Sequence, residues 1–321
     1  NGCAVVSPDS YSLTVNALPV VPFSSSDPND TICVGDLVNF TASGAAIYEF
    51  FVNGVSQGSP SGTPTFSTSI LSNGDSVAVI GTSNGCSNPG SSAYTFTVIP
   101  MPTISLVSSD ANDTICLNES VTFTASGGSE YQFFIAGTSQ TTLGPTSIFT
   151  TTSIMDGQTV TVIGYVNGCG QLAPSSFTYK VHPLPNINFY SSDLDNTITE
   201  CETITFTATG GITYEYFIDG ISQGAPSSQN TFTTNSLTNG QIVSVQGTSN
   251  NGCPNTGNSS FQITVNAPPA VQLSSSAPGD TICQGQSVTF TSSGASNYEF
   301  FLNGASIGPA SATNYYTTNT L

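Results

Sequence analysis

Short stretches of this chain alternate strictly between apolar and polar residues. Residues 38–42 read Val-Asn-Phe-Thr-Ala, which places three apolar side chains on one face of an extended strand. Residues 48–52 read Tyr-Glu-Phe-Phe-Val and lead into Asn53-Gly54, a pair that tolerates the positive φ of a tight hairpin turn. A period of two indicates half-buried strands, and the chain shows no helical periodicity. The pattern therefore predicts an all-β protein.

Both patterns return at a nearly constant interval. The first stretch has counterparts that begin at Val121, Ile204 and Val288. The cysteines fall into two series with the same period, one at Cys33, Cys116, Cys201 and Cys283, and one after Asn-Gly at Cys3, Cys86, Cys169 and Cys253. Successive members of a series are 82 to 85 residues apart. This period is longer than a solenoid unit and fits a small β-domain that is complete in itself.

Proline clusters mark the boundaries between these repeats. They lie at Pro19 with Pro22, Pro100 with Pro102, Pro183 with Pro185, and Pro268 with Pro269. Proline fixes φ and favours extended backbone, so the joints should be short and extended. We therefore predict tandem Ig-like antiparallel β-sandwich domains in an extended rod. The predicted segments are the end of a preceding repeat at 1–18, complete repeats at 19–101, 102–184 and 185–267, and the first part of a further repeat at 268–321.

The charge balance narrows the classes of partner. The chain has 321 residues with 19 acidic residues and one basic residue, Lys180, which gives a formal net charge of −18. Nucleic-acid binding and attraction to anionic membranes both need clustered Lys and Arg, so neither is expected. No apolar run approaches the roughly 20 residues of a membrane helix. The chain lacks an initiating Met and a signal-peptide pattern, which suggests a segment of a longer protein.

The eight cysteines predict disulfides in an oxidising compartment, because zinc would need CxxC pairs or His ligands. Two connectivities remain open. Bridges within domains would be Cys33–Cys86, Cys116–Cys169 and Cys201–Cys253. Bridges between consecutive domains would be Cys33–Cys169 and Cys116–Cys253, with Cys3, Cys86, Cys201 and Cys283 bonded to domains outside this segment. An eight-residue strand separates its ends by roughly 25 Å, whereas a disulfide needs Cα atoms within about 7 Å. The strand order therefore favours the bridges between domains.

Catalytic chemistry is not expected. His182 lies beside Pro183 in a joint, without a repeated acid partner, and we interpret it as an exposed linker residue. Lys180 should point to solvent, because it alternates with its apolar neighbours. The strand carboxylates should face outward rather than form a glycosidase pair; they are Glu49, Glu215 and Glu299. We therefore expect no enzyme and no cofactor.

Calcium is the one metal ion that the sequence leaves open. Aspartates recur before the cysteines, at Asp27 with Asp30, Asp110 with Asp113, Asp193 with Asp195, and Asp280 alone. Calcium prefers several oxygen ligands, which loop carbonyls could complete. Because the fourth repeat keeps only one of these residues, turn-forming aspartates are the favoured interpretation.

The motifs resemble the tandem Ig-like or PKD-like repeats of giant cell-surface proteins from Bacteroidota. The matching features are Thr31 to Gly35 before the first alternating stretch, Tyr48 to Gly54, Asn84 to Cys86, and Thr97 to Pro102, with counterparts in the other repeats. The resemblance implies export by the type IX secretion route and a role in adhesion, gliding or fibre formation. It also implies O-glycosylation at Asp-Thr-aliphatic sites, here at Thr31, Thr114 and Thr281.

The function that follows is a structural or adhesive stalk of an extracellular cell-surface filament. Its partners would be neighbouring repeats of the same chain, and further copies in a filament, with an unidentified surface or glycan ligand. One alternative is a carbohydrate-binding array that uses an exposed aromatic in each repeat. The candidates are Phe51, Phe134, Phe217 and Phe301. Another alternative is the accessory stalk of a secreted enzyme.

Overall fold

The structure is a computed structural model that describes residues 2, 10–90 and 92–321, and nearly all of its regular elements are strands. The first repeat has β1 Phe23–Ser25, β2 Thr31–Cys33, β3 Val38–Ala42, β4 Ile47–Val52, β5 Val55–Ser56, β6 Thr65–Thr68, β7 Ser76–Ser83, β8 Cys86–Pro89, β9 Tyr94–Thr95 and β10 Thr97–Ile99. The second has β11 Ser105–Ser108, β12 Thr114–Cys116, β13 Val121–Ser126, β14 Glu130–Ile135, β15 Thr138–Ser139, β16 Ile148–Thr151, β17 Thr159–Val166, β18 Cys169–Leu172, β19 Phe177–Thr178 and β20 Lys180–His182.

The remaining strands follow the same order. The third repeat has β21 Asn188–Ser191, β22 Thr197–Thr199, β23 Ile204–Thr209, β24 Thr213–Ile218, β25 Ile221–Ser222, β26 Thr231–Thr234, β27 Ile242–Thr248, β28 Pro254–Thr256, β29 Phe261–Gln262 and β30 Thr264–Asn266. The fourth has β31 Gln272–Ser275, a single 3₁₀ turn at Pro278–Asp280, β32 Val288–Ser293, β33 Phe301–Leu302, β34 Ala305–Ser306 and β35 Tyr315–Thr318.

Two sheets face each other in each of the first three repeats. In the first repeat one sheet has the order β1-β3-β6, and the other has β5-β4-β7 with both β8 and β9 on β7. The strand β2 pairs in parallel with β10. The second and third repeats have the same arrangement. In Ig-like sandwiches a three-stranded sheet packs against a sheet with more strands, and the connections cross between the two sheets. The predicted tandem antiparallel β-sandwich fold is therefore confirmed.

The alternating stretches form the cores. In β3, Val38, Phe40 and Ala42 are buried while the residues between them are exposed. Val77 and Val79 of the facing strand β7 are also buried, as their alternation predicts. The three core clusters comprise residues between 21 and 98, between 104 and 181, and between 187 and 263. Each cluster lies inside one of the predicted repeats.

The end of each repeat differs from the expected single last strand. The segment that contains Tyr94, Phe96 and Val98 divides into β9, which pairs with β7, and β10, which pairs with β2. Phe96 lies at the break with 1% of its surface exposed, so the chain changes sheets where its ring enters the core. This change of partner carries the end of the repeat alongside Cys33.

In each repeat a glycine after the alternating strand, which is β3, β13, β23 or β32, lets the incoming linker approach closely. Gly127 has φ +92°, and a Cβ there would lie 1.9 Å from the carbonyl oxygen of Thr103. Gly44, Gly210 and Gly294 show the same close approach. A side chain cannot fit at these positions, so glycine is required where the linker joins its sandwich.

The fourth repeat contains only the first part of the sandwich. Up to residue 321 it comprises the three-stranded sheet β31-β32-β35 and the hairpin β33-β34. Leu273 and Phe301 are 64% and 59% exposed, whereas Phe23, which aligns with Leu273, is 6% exposed. By compactness the chain divides into the units Asn1–His182 and Pro183–Leu321.

Candidate inter-repeat disulfide joint

A disulfide connects the first repeat to the second. Cys33 and Cys169 are bonded, with 5.6 Å between their Cα atoms and 136 residues between them in sequence. This is the first of the two inter-domain bridges that the strand order favoured. The intra-domain alternative is wrong, because its three bridges would have used Cys33, Cys169 and Cys201, and Cys201 has a free thiol.

A compact turn holds Cys33 at the end of β2. Its backbone N–H donates to Oδ2 of Asp36 at 2.9 Å, and the Asp36 N–H donates back to the Cys33 carbonyl at 3.1 Å. The next residue, Val34, donates its N–H to the carbonyl of Ile99 at 3.0 Å. The turn therefore fixes Cys33 beside the last strand of its own repeat, where the linker to the next repeat begins.

A tight hairpin holds Cys169 in the second repeat. Asn167 and Gly168, with φ of +51° and +84°, form the two-residue turn between β17 and β18. Such a turn needs positive φ at both central positions, which explains the repeated Asn-Gly before this series of cysteines. Cys169 is 1% exposed, so the bond lies within packed protein rather than on a loop tip. We call Cys33 and its equivalents tail cysteines, and Cys169 and its equivalents head cysteines.

Cys116 and Cys253 are also disulfide-bonded. Cys116 occupies the tail position of the second repeat, and its N–H donates to Glu119 at 2.8 Å just as that of Cys33 donates to Asp36. Cys253 occupies the head position of the third repeat and is fully buried. Their predicted pairing with each other stays a prediction.

Cys86, Cys201 and Cys283 carry free thiols. Their predicted bonds to domains outside this segment remain predictions, and Cys3 lies outside the described residues. Cys283 has the tail geometry, because its N–H donates to Gln286 Oε1 at 3.0 Å. Cys86 has the head geometry, because it pairs with Ser83 across a two-residue turn.

Cys201 is not the structural counterpart of Cys33, contrary to the sequence alignment of the repeats. Thr199 occupies the tail position: it ends β22, and its N–H donates to Glu202 at 2.8 Å. Cys201 lies two residues later at φ +63°, where the first repeat has Gly35 at φ +90°. In each of the first three repeats a carboxylate three residues after the tail position accepts its N–H, namely Asp36, Glu119 or Glu202. Aligning the repeats on this carboxylate would have assigned Thr199 to the tail position.

The predicted glycosylation sites share two local features. Thr31, Thr114 and Thr281 are exposed, and each follows an aspartate with positive φ. Oδ1 of Asp27 accepts the N–H groups of Asn29 and Thr31 at 3.2 and 3.1 Å, so this carboxylate forms the turn itself. Burial raises the pKa of Asp30, and the nearby Asp27 charge raises it further.

The loop aspartates do not gather into a ligand set in the part of the chain that the structure describes. No group of three or more His, Cys, Asp or Glu side chains there could hold a metal ion. The second repeat repeats the turn geometry, with Oδ1 of Asp110 accepting the N–H groups of Asn112 and Thr114. These contacts account for the recurring aspartates as turn residues.

The other predicted positions are spread over the surfaces of the repeats. Three of the candidate sugar-binding residues are half-buried, namely Phe51, Phe134 and Phe217. The residue before each of them on the same strand is buried in the core. Glu49 and Glu215 are half-buried, and Glu299 is exposed. The Lys180 side chain is 61% exposed, and its ammonium nitrogen lies 3.3 Å from Oδ2 of Asp156.

Comparisons with known proteins give fold-level likenesses only. No family model matches the chain, and no curated protein matches its sequence. Solved structures similar to it include fibronectin(III)-like modules of CbhA from Clostridium thermocellum, with 14% identity, TM-score 0.32, and coverage of 51% of this chain and 95% of that one. A Ca²⁺-stabilized adhesin of an Antarctic bacterium has 16% identity and TM-score 0.31, covering 93% and 89%. The ICAM-5 D1–D4 fragment has 12% identity and TM-score 0.33, covering 76% of each chain.

These likenesses are too distant to carry an argument about function. Among the described residues, no helix has the length and apolar character needed to cross a membrane.

Proposed function

We propose that this chain is a segment of an extracellular structural or adhesive stalk whose Ig-like repeats are joined by disulfides. The observation that carries the proposal is the Cys33–Cys169 bond between consecutive repeats. Disulfides persist outside the cytosol, which supports a surface location. The proposed role is mechanical and not catalytic.

The bond changes the path that tension takes along the chain. A force applied to the two ends passes from Cys33 to Cys169 through the sulfur atoms, so the 136-residue interval is shielded from extension. Fully extended chain spans about 3.3–3.6 Å per residue, so roughly 450–490 Å of length stays locked. Most of the first two repeats would therefore not lengthen even when the stalk is pulled strongly.

Single-molecule pulling tests this role. Cys116 and Cys253 are both replaced by Ser, so that one bond alone is measured. We expect the fully unfolded length to increase by roughly 450–490 Å on adding reductant. The further change Cys33→Ser should give the longer length without reductant, and Cys201→Ser serves as the matched control with no effect. Equal lengths in oxidised and reduced samples would contradict the proposal.

The resemblance to Bacteroidota surface proteins supports further parts of the proposal. These are export by the type IX route, assembly into a filament, and O-glycosylation of the exposed residues Thr31, Thr114 and Thr281. Antibody-labelled electron microscopy of producing cells should reveal uniform filaments, and mass spectrometry of the native protein should reveal glycans on these threonines. A compact released particle without surface label would refute the location.

A carbohydrate-binding array is the second candidate. The observation that favours it is the recurrence of an outward, half-buried phenylalanine, namely Phe51, Phe134 and Phe217, in successive repeats. An aromatic ring can stack on the apolar face of a sugar. Glycan-array binding that is lost in a triple Phe→Ala variant, while pulling behaviour is unchanged, would favour this function over a purely structural one.

A further inference from the structure

A groove on the third repeat lies between β24, the loop at residues 223–230 and the edge strand β26, and its volume is about 330 Å³. We propose that this groove binds one residue of a neutral sugar through the backbone N–H of Tyr216 and the carboxylate of Glu215. The proposal deepens the second candidate function, on which it rests for the class of ligand. It places the site on residues other than the repeated outward phenylalanines.

The Tyr216 N–H is a donor that the fold leaves without an acceptor. The Tyr216 carbonyl accepts the Gln223 N–H at 2.9 Å, and the Tyr214 N–H donates to the Ser227 carbonyl at 2.7 Å. Alternate residues of a strand direct their peptide groups to the same side, so the Tyr216 N–H also faces the loop and not β27. No described residue accepts a hydrogen bond from it. Because buried backbone N–H groups rarely lack a partner, this donor is a candidate contact for a ligand.

In the second repeat a threonine occupies the same place. Phe133 is the equivalent of Tyr216, and its N–H donates to Thr141 Oγ1 at 3.0 Å. The equivalent of Thr141 in the third repeat is Gly224, which has no side chain to accept this bond. A Cβ at Gly224 would meet no atom within 4 Å, so the space beside the strand is open. The free donor therefore follows from a single local difference between the repeats.

The Glu215 carboxylate is the second polar group without an internal partner. Its equivalent in the first repeat, Glu49, accepts the Ser56 hydroxyl at 2.6 Å, and the opening there is only about 150 Å³. In the third repeat the equivalent Ser222 donates to the Gly224 carbonyl at 3.0 Å, and no described residue donates to the Glu215 carboxylate. The third repeat therefore offers both the larger groove and a free acceptor.

A sugar hydroxyl matches this pair of groups. It can accept from the Tyr216 N–H and donate to Glu215, whereas an ammonium group can only donate and a carboxylate can only accept. The Gln229 side chain and the Phe232 ring also line the groove, which adds an amide and an apolar surface for the C–H face of a sugar ring. The volume lies at the lower end of the range of about 300–1,000 Å³ for ligand pockets, which suits a small ligand.

The test titrates the 321-residue chain with glucose, galactose, mannose and N-acetylglucosamine, and NMR follows the backbone amides of isotope-labelled tyrosine. We expect at least one of these sugars to shift the Tyr216 amide signal and to slow its hydrogen exchange roughly 10-fold, since the amide gains a hydrogen bond. The Tyr214 amide is the internal control, because its bond to Ser227 is already formed and its exchange should change little.

A conservative variant tests the carboxylate. Glu215→Gln should weaken binding of that sugar roughly 10-fold, because hydrogen bonds to a charged acceptor are the stronger ones. Glu200→Gln is the matched control, since it removes an exposed carboxylate of the same repeat outside the groove and should leave binding unchanged. Equal losses in both variants would overturn the role of Glu215.

A loop exchange tests the groove itself. The loop of the second repeat, Thr-Thr-Leu-Gly at residues 141–144, is introduced by the combined changes Gly224→Thr, Ala225→Thr, Pro226→Leu and Ser227→Gly. Binding should be lost, because the new threonine would accept the Tyr216 N–H as Thr141 accepts that of Phe133. The thermal unfolding midpoint should not fall, since the bond gives an unpaired donor its partner.

The outcomes separate this site from the proposed functions. Failure of all four sugars to shift the Tyr216 amide, or binding that survives both Glu215→Gln and the loop exchange, would overturn the proposal. Glycan binding that persists in the groove variants and is lost in the triple Phe→Ala variant would leave the second candidate function standing without this groove. The pulling experiment on Cys33–Cys169 is independent of all these results.

Discussion

Tyr216 buries a hydroxyl group that the other repeats do not have. The equivalent residues are Phe50, Phe133 and Phe300. The Tyr216 side chain is 7% exposed and stacks on Phe232 at 5.4 Å between ring centroids. Its hydroxyl oxygen is fully buried and makes no hydrogen bond of acceptable geometry with any described residue, although the nearby Ala208 backbone partly opposes the rise in its pKa. The third repeat therefore bears a cost of desolvation that its neighbours avoid.

Replacing Tyr216 by Phe should stabilise the third repeat. A buried hydroxyl without a partner costs about 1–3 kcal/mol, and the phenyl ring keeps the stacking contacts. The expected gain in the free energy of unfolding is therefore about 1–3 kcal/mol. Chemical denaturation of the oxidised protein, with a probe of the third repeat, measures it.

Tyr214 provides the matched control on the same strand. Its hydroxyl accepts from the Gly211 N–H at 3.0 Å and donates to the Gly211 carbonyl at 2.8 Å. Tyr214→Phe removes both bonds and should destabilise the repeat by about 1–2 kcal/mol. If Tyr216→Phe destabilises the repeat as much as Tyr214→Phe does, the Tyr216 hydroxyl has a stabilising partner and the reasoning is wrong.

The same burial predicts a dependence on alkaline pH. Burial raises the pKa of Tyr216 to about 12, above the value near 10 of an unfolded tyrosine. The unfolded chain then loses this proton first, so stability is complete below pH 10 and falls as the pH rises towards about 12. Subtracting the pH profile of Tyr216→Phe from that of the wild type isolates this contribution. Parallel profiles between pH 9 and 12 would exclude it.

Three further predictions follow from other contacts. Gly127→Ala should destabilise the second repeat by at least about 2 kcal/mol in thermal unfolding, because the new Cβ would clash with the linker. Gly137→Ala is the control: its Cβ would meet open space, so it should cost only about 1 kcal/mol for the positive φ. Equal losses would contradict the clash with the linker. Hydrogen bonds from the Ser72 N–H and the side chain of Asn53 lower the pKa of Asp75. The ionised Asp75 therefore stabilises the folded repeat above pH 4, and this stabilisation is lost at lower pH. Asp75→Asn should flatten this part of the acid-denaturation profile. Trypsin should leave the folded chain intact, because its one lysine, Lys180, lies in a paired strand; rapid cleavage there would show that β20 opens.

The sequence predicted the elements that depend on local spacing. Alternation in residues 38–42 identified a half-buried strand, and Asn53-Gly54 identified a hairpin, because period and positive φ are local properties. The disulfide from Cys33 to Cys169 was one of two open choices, and the distance along a strand favoured it. The all-β fold class could also be predicted, because it follows from the same local alternation and turn residues.

Features that depend on partners far along the chain were not accessible. The turn register of Thr199 is not one of these features, because it follows from the carboxylate of Glu202 three residues later, a local signal that the spacing of the cysteines concealed. The last strand divides because its first part, β9, pairs with β7, whereas its second part, β10, pairs with β2.

By itself the sequence determined the repeat length, the strands and the apolar faces, because these are set by residues a few positions apart. Only the tertiary structure decided which cysteines bond to each other and that the buried Tyr216 hydroxyl makes no hydrogen bond of acceptable geometry with any described residue. The physical reason is that a disulfide, a hydrogen bond and the burial of a polar atom each depend on where distant segments come together within a few ångströms.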